Sequence, residues 1–481
     1  MTRERLAEHL LAPAGRGASP ADAHSGAAGG SVCGDLIRVS VRVERDRVAA
    51  AGFDAEGCGT LTAAGSAVVT LVDGAPVLDA ARVGPRAIAG ELGGLSPGKL
   101  HAADLAADAL HRALGAAARA GAAVPRSAAR TLVAMSGGVD SAVAALLVAR
   151  PGREAVAVTL ELWADPDNDA EASCCSAHAV RQARAVAQRM GMPHFTLDLR
   201  AEFRAGVIEP FVAAHRAGET PNPCVRCNGH VRLDAMLAFA DALGAADLAT
   251  GHYARRTAGG LLRAAADPAK DQSYMLAATA PETLARLQFP LGGLTKPAVR
   301  ALAAEAGLPV AAKPESQDLC FLAGTGKAAF LRRHGGFESD RPGAIVDAAG
   351  TAVGNHRGHQ YFTVGQRKGI GVAAPEPLYV LRTDAAANRV VVGPRAALAA
   401  TRVAVRGARL HRPGAEVDAV KLRYRSRSVA CRIVGDPPAG PHARLDLRLD
   451  EPVDRAAPGQ AAVLLRGDEV LGWGTIDSLV R

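Results

Sequence analysis

Two groups of residues in this sequence have the types and spacing to do chemistry. The first is SGGVDS, residues 136–141, set between the apolar run TLVAM (131–135) and the helical stretch AVAALLVAR (142–150). At a strand–turn–helix junction, free backbone N–H groups and the helix dipole favour an anion. Gly137 and Gly138 let the backbone approach a pyrophosphate closely, Ser136 and Ser141 add hydroxyl donors, and Asp140 is placed to hold a magnesium ion beside the phosphates. The loop lacks a G-K-[ST] ending and so has no lysine for a γ-phosphate. That points to chemistry at the α-phosphate, namely transfer of adenylate with release of pyrophosphate. The competing interpretation is a glycine turn with no ligand, and the flanking strand and helix weigh against it.

The second group is made of thiols. TPNPCVRCN (220–228) places Cys224 and Cys227 as a C-x-x-C in a proline-braced loop, and PESQDLCFL (314–322) adds Cys320. Redox pairs and metal half-sites share the C-x-x-C spacing. A zinc site wants two more ligands at similar spacing, and one cysteine follows. The odd number suits a catalytic thiol pair, or a three-cysteine iron–sulfur site with one open position. A thiol used as nucleophile must ionise near neutral pH, and a helix N-terminus or the neighbouring Arg226 are the available means.

These residues need elements to position them. A chain of 481 residues exceeds one ordinary core, so several domains are expected. Hydrophobic residues at 49% and charged residues at 22% exclude a disordered or membrane-embedded chain and fit a globular one. The formal net charge of +8 fits a polyanionic partner. No signal peptide follows MTRERLAEHLLAPAG, and no run of about 20 apolar residues occurs. The expected location is therefore cytoplasmic, without membrane association, and the eight cysteines are expected as redox, metal or core thiols.

Strands at 131–135, 154–163, 194–199 and 247–253 alternate with helices at 142–150 and 177–190, which predicts a doubly wound α/β domain over 131–335. Before it, 36–55 reads as two antiparallel strands turning at Arg45–Asp46, with helices at 59–73 and 102–120. Together they predict a small α+β domain over 1–120, mobile at 12–31, joined through a linker at 121–130. Beyond residue 335, short strands between Gly, Pro and Asp predict two small β-rich domains, 336–397 and a barrel-like 398–481. The arginine-rich stretch 401–432 reads as a solvated face or as a surface for the phosphates of a polyanion.

Taken together, SGGVDS, TPNPCVRCN, ATGHYAR (249–255), KDQSYML (270–276), PESQDLCFL and FTVGQRKGIG (362–371) resemble the bacterial tRNA-uridine 2-sulfurtransferases, the 2-thiouridylases, from about residue 130 onward. SGGVDS itself resembles the pyrophosphate loop of the ATP-pyrophosphatase superfamily. The resemblance implies adenylation of the C2 oxygen of a wobble uridine by ATP, then sulfur transfer from a cysteine persulfide. It makes Cys227 the nucleophile, Cys320 the persulfide carrier, and a Cys227–Cys320 disulfide the transient product.

By the same matching, ATP meets Ala134, Met135, Ser136, Gly137, Gly138, Val139, Asp140 and Ser141, with Leu160 and Gly251 at the adenosine. Asn222, Pro223 and Cys224 lie against the target base. Lys270, Asp271, Gln272, Arg423 and Tyr424 contact tRNA, and His252 is a turn histidine or a ligand. Cys174 and Cys175 are expected in a structural loop, and Cys431 in a core. A third thiol at Cys224 keeps a second mechanism open, in which Cys224, Cys227 and Cys320 hold a four-iron cluster. An amide- or guanidine-forming synthetase using the same loop leaves the thiols unexplained.

Residues 1–120 are not needed for that chemistry. VCGD (32–35), FDAEGCGTLTAAGS (53–66) and KLHAADLAADAL (99–110) resemble the IscU/NifU-like iron–sulfur scaffold proteins. The resemblance places Cys33, Asp35 and Cys58 at ligand positions, but Ala102 stands where the third cysteine follows His101. Cys33, Asp35, Cys58 and His101 remain a possible ligand set for zinc or a two-iron cluster. The implied partners are a cysteine desulfurase or another sulfur-relay protein, with the domain relaying sulfur or docking that donor.

Overall fold

A computed structural model of the chain describes residues 2–29, 34–165, 177–314, 319–335 and 341–480. The N-terminal region opens with helix α1 (Thr2–Leu11) and strand β1 (His24–Gly29). Strands β2 (Leu36–Glu44) and β3 (Arg47–Glu56) complete an antiparallel sheet of order β1-β2-β3. The turn falls at Arg45 and Asp46, and Arg45 takes φ 57° there.

Helices α2 (Gly59–Val72), α3 (Val77–Ala80), α4 (Pro85–Glu91) and α5 (Leu100–Gly121) follow. In β2, Ile37, Val39 and Val41 alternate into the core and belong to the same buried cluster as Leu61, Ala64 and Val68 of α2.

Two sequence expectations fail here. The stretch 12–31 is not a mobile tail in its described part, because residues 24–29 are a sheet strand and Gly17 N bonds Phe53 O at 2.8 Å. Its small residues serve close packing: a Cβ on Gly26 would lie 2.2 Å from Ala109 O of α5. The linker is shorter than 121–130, since α5 runs to Gly121 and strand β4 (Ser127–Ala134) has already begun.

The catalytic region is a parallel sheet of β4, β5 (Glu154–Glu161), β6 (His194–Asp198), β7 (Ala245–Ala249) and a short strand Leu287–Gln288. Its order is Leu287–Gln288, β7, β4, β5, β6. Leu132, Val133, Val156, Ala157 and Val158 are buried, as strands covered on both faces require. Helices α6 (Val139–Val148) and α7 (Ala177–Arg189) are the crossovers.

The next region is a four-stranded sheet from Gly343–Val346, Ala352–His356, Tyr379–Asp384 and Arg389–Gly393. The last is a barrel of six strands, closed by pairing of Ala399–Leu410 with Glu469–Val480. Two short catalytic-region strands, Arg255–Arg256 and Leu262–Arg263, extend the barrel sheet, and Arg255 and Arg263 both grip Asp468. Cys431 is buried in the barrel, and burial pushes its thiol up to about 12. No described helix is long and apolar enough to cross a membrane.

Helix α5 docks the N-terminal region on the catalytic sheet. A Cβ on Gly115 would lie 2.1 Å from Thr196 O of β6, so backbone meets backbone there. His111 and His194 share a hydrogen bond at 3.0 Å, with His111 Nε2 on Val83 O and His194 Nε2 on Thr159 Oγ1. Each proton position follows: Thr159 donates to His194, His194 to His111, and His111 to the carbonyl. Burial and nearby Arg184 push His111 down to about 3, and burial likewise drives His194 down, so both rings are neutral. Beside them the buried Arg184 pairs with Asp108 at 2.8 Å, and Arg112 joins Asp108 to Glu161 of β5.

Candidate functional site

The loop at 136–141 turns because Gly137 adopts φ 69°, where a Cβ would also lie 2.5 Å from Ala179 O. The Ser141 hydroxyl accepts from Ser136 N at 3.1 Å and donates to Gly138 O at 3.1 Å. The same hydroxyl lies 3.3 Å from Ser136 Oγ, so Ser141 braces the loop. Val139 is buried, anchoring α6 to the core.

Against the loop lies a cavity of about 220 Å³. Ala134, Met135, Ser136, Asp140, Ser141, Leu160 and Gly251 all line it. Gly251 is required there, because a Cβ would lie 2.8 Å from Ser141 N. Gln272, expected at the RNA surface, also lines this cavity, its Oε1 accepting from Tyr253 N at 3.0 Å.

Sequence reasoning missed the cations of this site. Arg232 lines the cavity, held by Asn228 Oδ1 at 2.6 Å and His252 Nε2 at 3.0 Å. Arginine only donates, so His252 Nε2 accepts and Nδ1 carries the proton toward Thr250 Oγ1 at 2.8 Å. Burial, with Arg232 alongside, pushes His252 down to about 3, so it is a neutral positioning group in the cavity wall. Lys313 Nζ donates to Gly137 O at 3.0 Å. Lys296 Nζ meets both oxygens of Asp140, at 2.7 and 2.8 Å, and the Tyr253 hydroxyl donates to one of them at 2.8 Å. The carboxylate expected to take magnesium is therefore already engaged.

The thiols sit on a second element. Asn222 caps a helical turn, Pro223–Cys227, its Oδ1 accepting from Cys224 N at 3.1 Å and Val225 N at 3.3 Å. The chain continues helically through Asn228–Arg232 into Leu233–Ala242. Cys224 is thus in the first turn, partly exposed, while Cys227 is buried and Cys320 partly exposed. Arg226 Nε donates to Gly206 O at 2.6 Å.

Burial, and next to it the Asp271 carboxylate, push the Tyr424 hydroxyl up; Lys270 and Cys224 act on the same group. The Tyr424 ring stands 6.1 Å from that of Tyr274, and Lys421 Nζ lies 3.8 Å from Asp271. The Asp271 carboxylate is occupied by Ala265 N, Ser273 N and Ser273 Oγ, and Arg423 bonds Arg455 O. The stretch 401–432 is less free than its composition suggests, because Arg406 clamps Glu219 and Arg427 pairs with Glu451.

In the N-terminal region, ligand atoms of Asp35, Cys58 and His101 lie within 4.8 Å of one another, the one such cluster among the described residues. Asp35 accepts from Cys58 N at 2.9 Å and lies 3.1 Å from His101 Nε2. His101 Nδ1 lies 3.0 Å from Gly98 O. The ring thus directs Nε2 at the Asp35 carboxylate, beside the Cys58 sulfur. Asp35, Cys58 and His101 therefore fit as three ligands of zinc or iron. Ala102 is wholly buried and supplies none. Cys33, Cys174 and Cys175 lie outside the described residues.

The family models divide the chain in the same sense. A NifU-like N terminal domain matches residues 1–120, a tRNA methyl transferase HUP domain 129–324, a tRNA methyl transferase PRC-barrel domain 328–394, and an aminomethyltransferase beta-barrel domain 410–476. A bifunctional protein NifU/MnmA of Rubrobacter xylanophilus is 43% identical over 495 residues, covering 98% of each chain. A tRNA-specific 2-thiouridylase MnmA of Acidithiobacillus ferrooxidans is 44% identical over 72% of this chain and 98% of its own. The same-named protein of Geobacter metallireducens is 44% identical over 73% and 97%.

Proposed function

The chain belongs to the tRNA-specific 2-thiouridylase family, in the form fused to a NifU-like domain, and from that premise we propose that it thiolates the wobble uridine of tRNA through an adenylate and a persulfide. The observation that carries this reading is one cavity lined by Ser136, Asp140, Ser141, Leu160 and Gly251, with Arg232 at its wall.

ATP binds in that cavity, and the uracil C2 oxygen attacks its α-phosphorus. The bond to the bridging oxygen breaks and pyrophosphate leaves. Cys320 carries the sulfur as a persulfide, whose terminal sulfur attacks C2. The Cys227 thiolate then attacks Cys320 Sγ, forming the Cys227–Cys320 disulfide; the thiocarbonyl remains on the base and AMP departs. An external dithiol reduces the disulfide. Oxygen at C2 is a poor leaving group, and esterification to phosphate is what lets sulfur replace it.

Asn222, Pro223 and Cys224 take the target base, and Lys270, Arg423 and Tyr424 meet the RNA. The N-terminal region holds zinc or an iron–sulfur group at Asp35, Cys58 and His101, and receives sulfur from a cysteine desulfurase in the cytoplasm. Tethering such a domain raises the local concentration of its cargo at the thiols. The test is release of AMP and pyrophosphate from ATP by the full chain, with and without tRNA. Release only with tRNA supports this reading, and release that ignores tRNA contradicts it.

A further inference from the structure

The far end of β5 serves two regions at once. Val158, Leu160 and Leu162 line the nucleotide cavity. The residues between them point the other way, as strand alternation requires. Thr159 bonds His194 and through it His111 of α5, and Glu161 bonds Arg112 of α5. The ladder between β4 and β5 ends at Ala134 and Val158, so Leu160 and Glu161 have only β6 alongside, opposite Leu197 and Asp198.

Strand β6 is in turn the edge of the sheet, where backbone groups lack a neighbouring strand. The N-terminal region takes them up. His194 N donates to Ala81 O at 2.9 Å, and Arg119 Nη1 donates to Asp198 O at 3.3 Å. One buried cluster also runs from Val39 of β2 through Leu110 and Leu114 of α5 to Val158 and Leu197.

Arg112 joins the two regions at the cavity. Its Nη2 lies 2.6 Å from Glu161 Oε1 and 3.3 Å from Asp108 Oδ2, and its Nη1 donates to Ala27 O of β1 at 3.0 Å. The ladder of β1 with β2 runs to Leu36, the neighbour of Asp35 in the metal-binding cluster. The Glu161 side chain is 13% exposed; burial pushes its carboxyl up and Arg112 holds it down. A buried carboxylate keeps its charge and its place only while its cation is present.

We propose that Arg112 is a positioning residue of the nucleotide site: by holding Glu161 it fixes the end of β5, and with it the wall of Leu160 and Leu162 against which the nucleoside of ATP lies. The role of Arg112 rests on the adenylation reading. It gives the N-terminal region a duty apart from its metal cluster, as a layer of the catalytic sheet.

The test is calorimetric binding of ATP to the full chain, with KM and kcat for tRNA-dependent AMP formation measured beside it. Arg112→Met is expected to weaken ATP and raise its KM about 10-fold, while kcat at saturating ATP stays within about 2-fold. Arg112→Lys keeps a cation beside Glu161 and is expected to recover most of that affinity. Arg184→Ala breaks the same joint at Asp108 rather than at Glu161, and is expected to lower the melting temperature while ATP affinity stays within about 2-fold. Glu161→Gln keeps the shape and removes the charge; it is expected to weaken ATP about 3-fold, and decides the matter if Arg112→Met does not fold. Unchanged ATP binding in the Arg112 and Glu161 variants, or an equal loss in Arg184→Ala, overturns the role and leaves tRNA thiolation standing. If the unaltered chain binds no ATP, the adenylation reading itself fails and the role of Arg112 falls with it.

Discussion

The nucleotide loop and the Asp35–Cys58–His101 cluster are built alike and finished differently. Each depends on a glycine that lets another segment touch it. Gly251 lies against Asp140 and Ser141, and a Cβ on Gly57 would lie 2.1 Å from Asp35 Oδ1. The nucleotide site is then enclosed by segments distant in sequence, braced by two lysines and an arginine. The N-terminal cluster stays open, with Cys58 exposed and the position after His101 filled by a buried alanine. The two regions are joined by the buried polar contacts of α5.

The contrast breaks first at the thiols. Cys227→Ser is expected to lower tRNA thiolation by about 1,000-fold or more while tRNA-dependent AMP formation continues; nucleoside mass spectrometry and nucleotide chromatography read the two. Gly251→Ala forces a side chain onto the loop, and a cost of about 1–3 kcal/mol there should raise the KM for ATP by about 5- to 150-fold. No such rise would mean that the cavity is not the ATP site.

The joint between the regions is next. Arg184→Ala leaves the Asp108 carboxylate buried without its 2.8 Å partner. A loss of about 3 kcal/mol is expected by calorimetry, and proteolysis should then begin between residues 121 and 127. Acid should act on the same joint. His111 and His194 are held below the free value of 6.5, so the unfolded chain binds more protons once the pH drops under 6.5. Stability is then lost toward acid, by up to about 1.4 kcal/mol per pH unit for each histidine, through the window from 6.5 to about 3 for His111. His111→Gln should flatten that slope in melts between pH 5 and 7.

The smallest effect is expected at the open cluster. Cys58→Ser should abolish zinc or iron content by elemental analysis, yet change thiolation supplied with free sulfide by less than about 2-fold. A larger fall would make the cluster part of the chemistry itself.

What was legible in the sequence follows from how local each signal is. SGGVDS between an apolar run and a helix, and the alternation in 36–55, are short-range patterns, and the parallel sheet and the first antiparallel strands follow from them. Lys296, Lys313 and Arg232 carry no local mark, because tertiary packing alone brings them to the loop. His252 sits in a visible motif, but its neutrality comes from burial and from Arg232. The stretch 12–31 misleads because small residues chosen for the close passage of α5 have the composition of a loop. Arginine counting over 401–432 overstates the free charge, since partners such as Glu219 lie far off in sequence.

The central claim is the thiolation of tRNA. Its most direct measurement is mass spectrometry of tRNA nucleosides from cells lacking this gene, complemented with the full chain or with its Cys227→Ser variant. The expected result is loss of 2-thiouridine derivatives on deletion, recovery with the unaltered chain and none with the variant. Undiminished 2-thiouridine in the deletion strain, or recovery with Cys227→Ser, would contradict it.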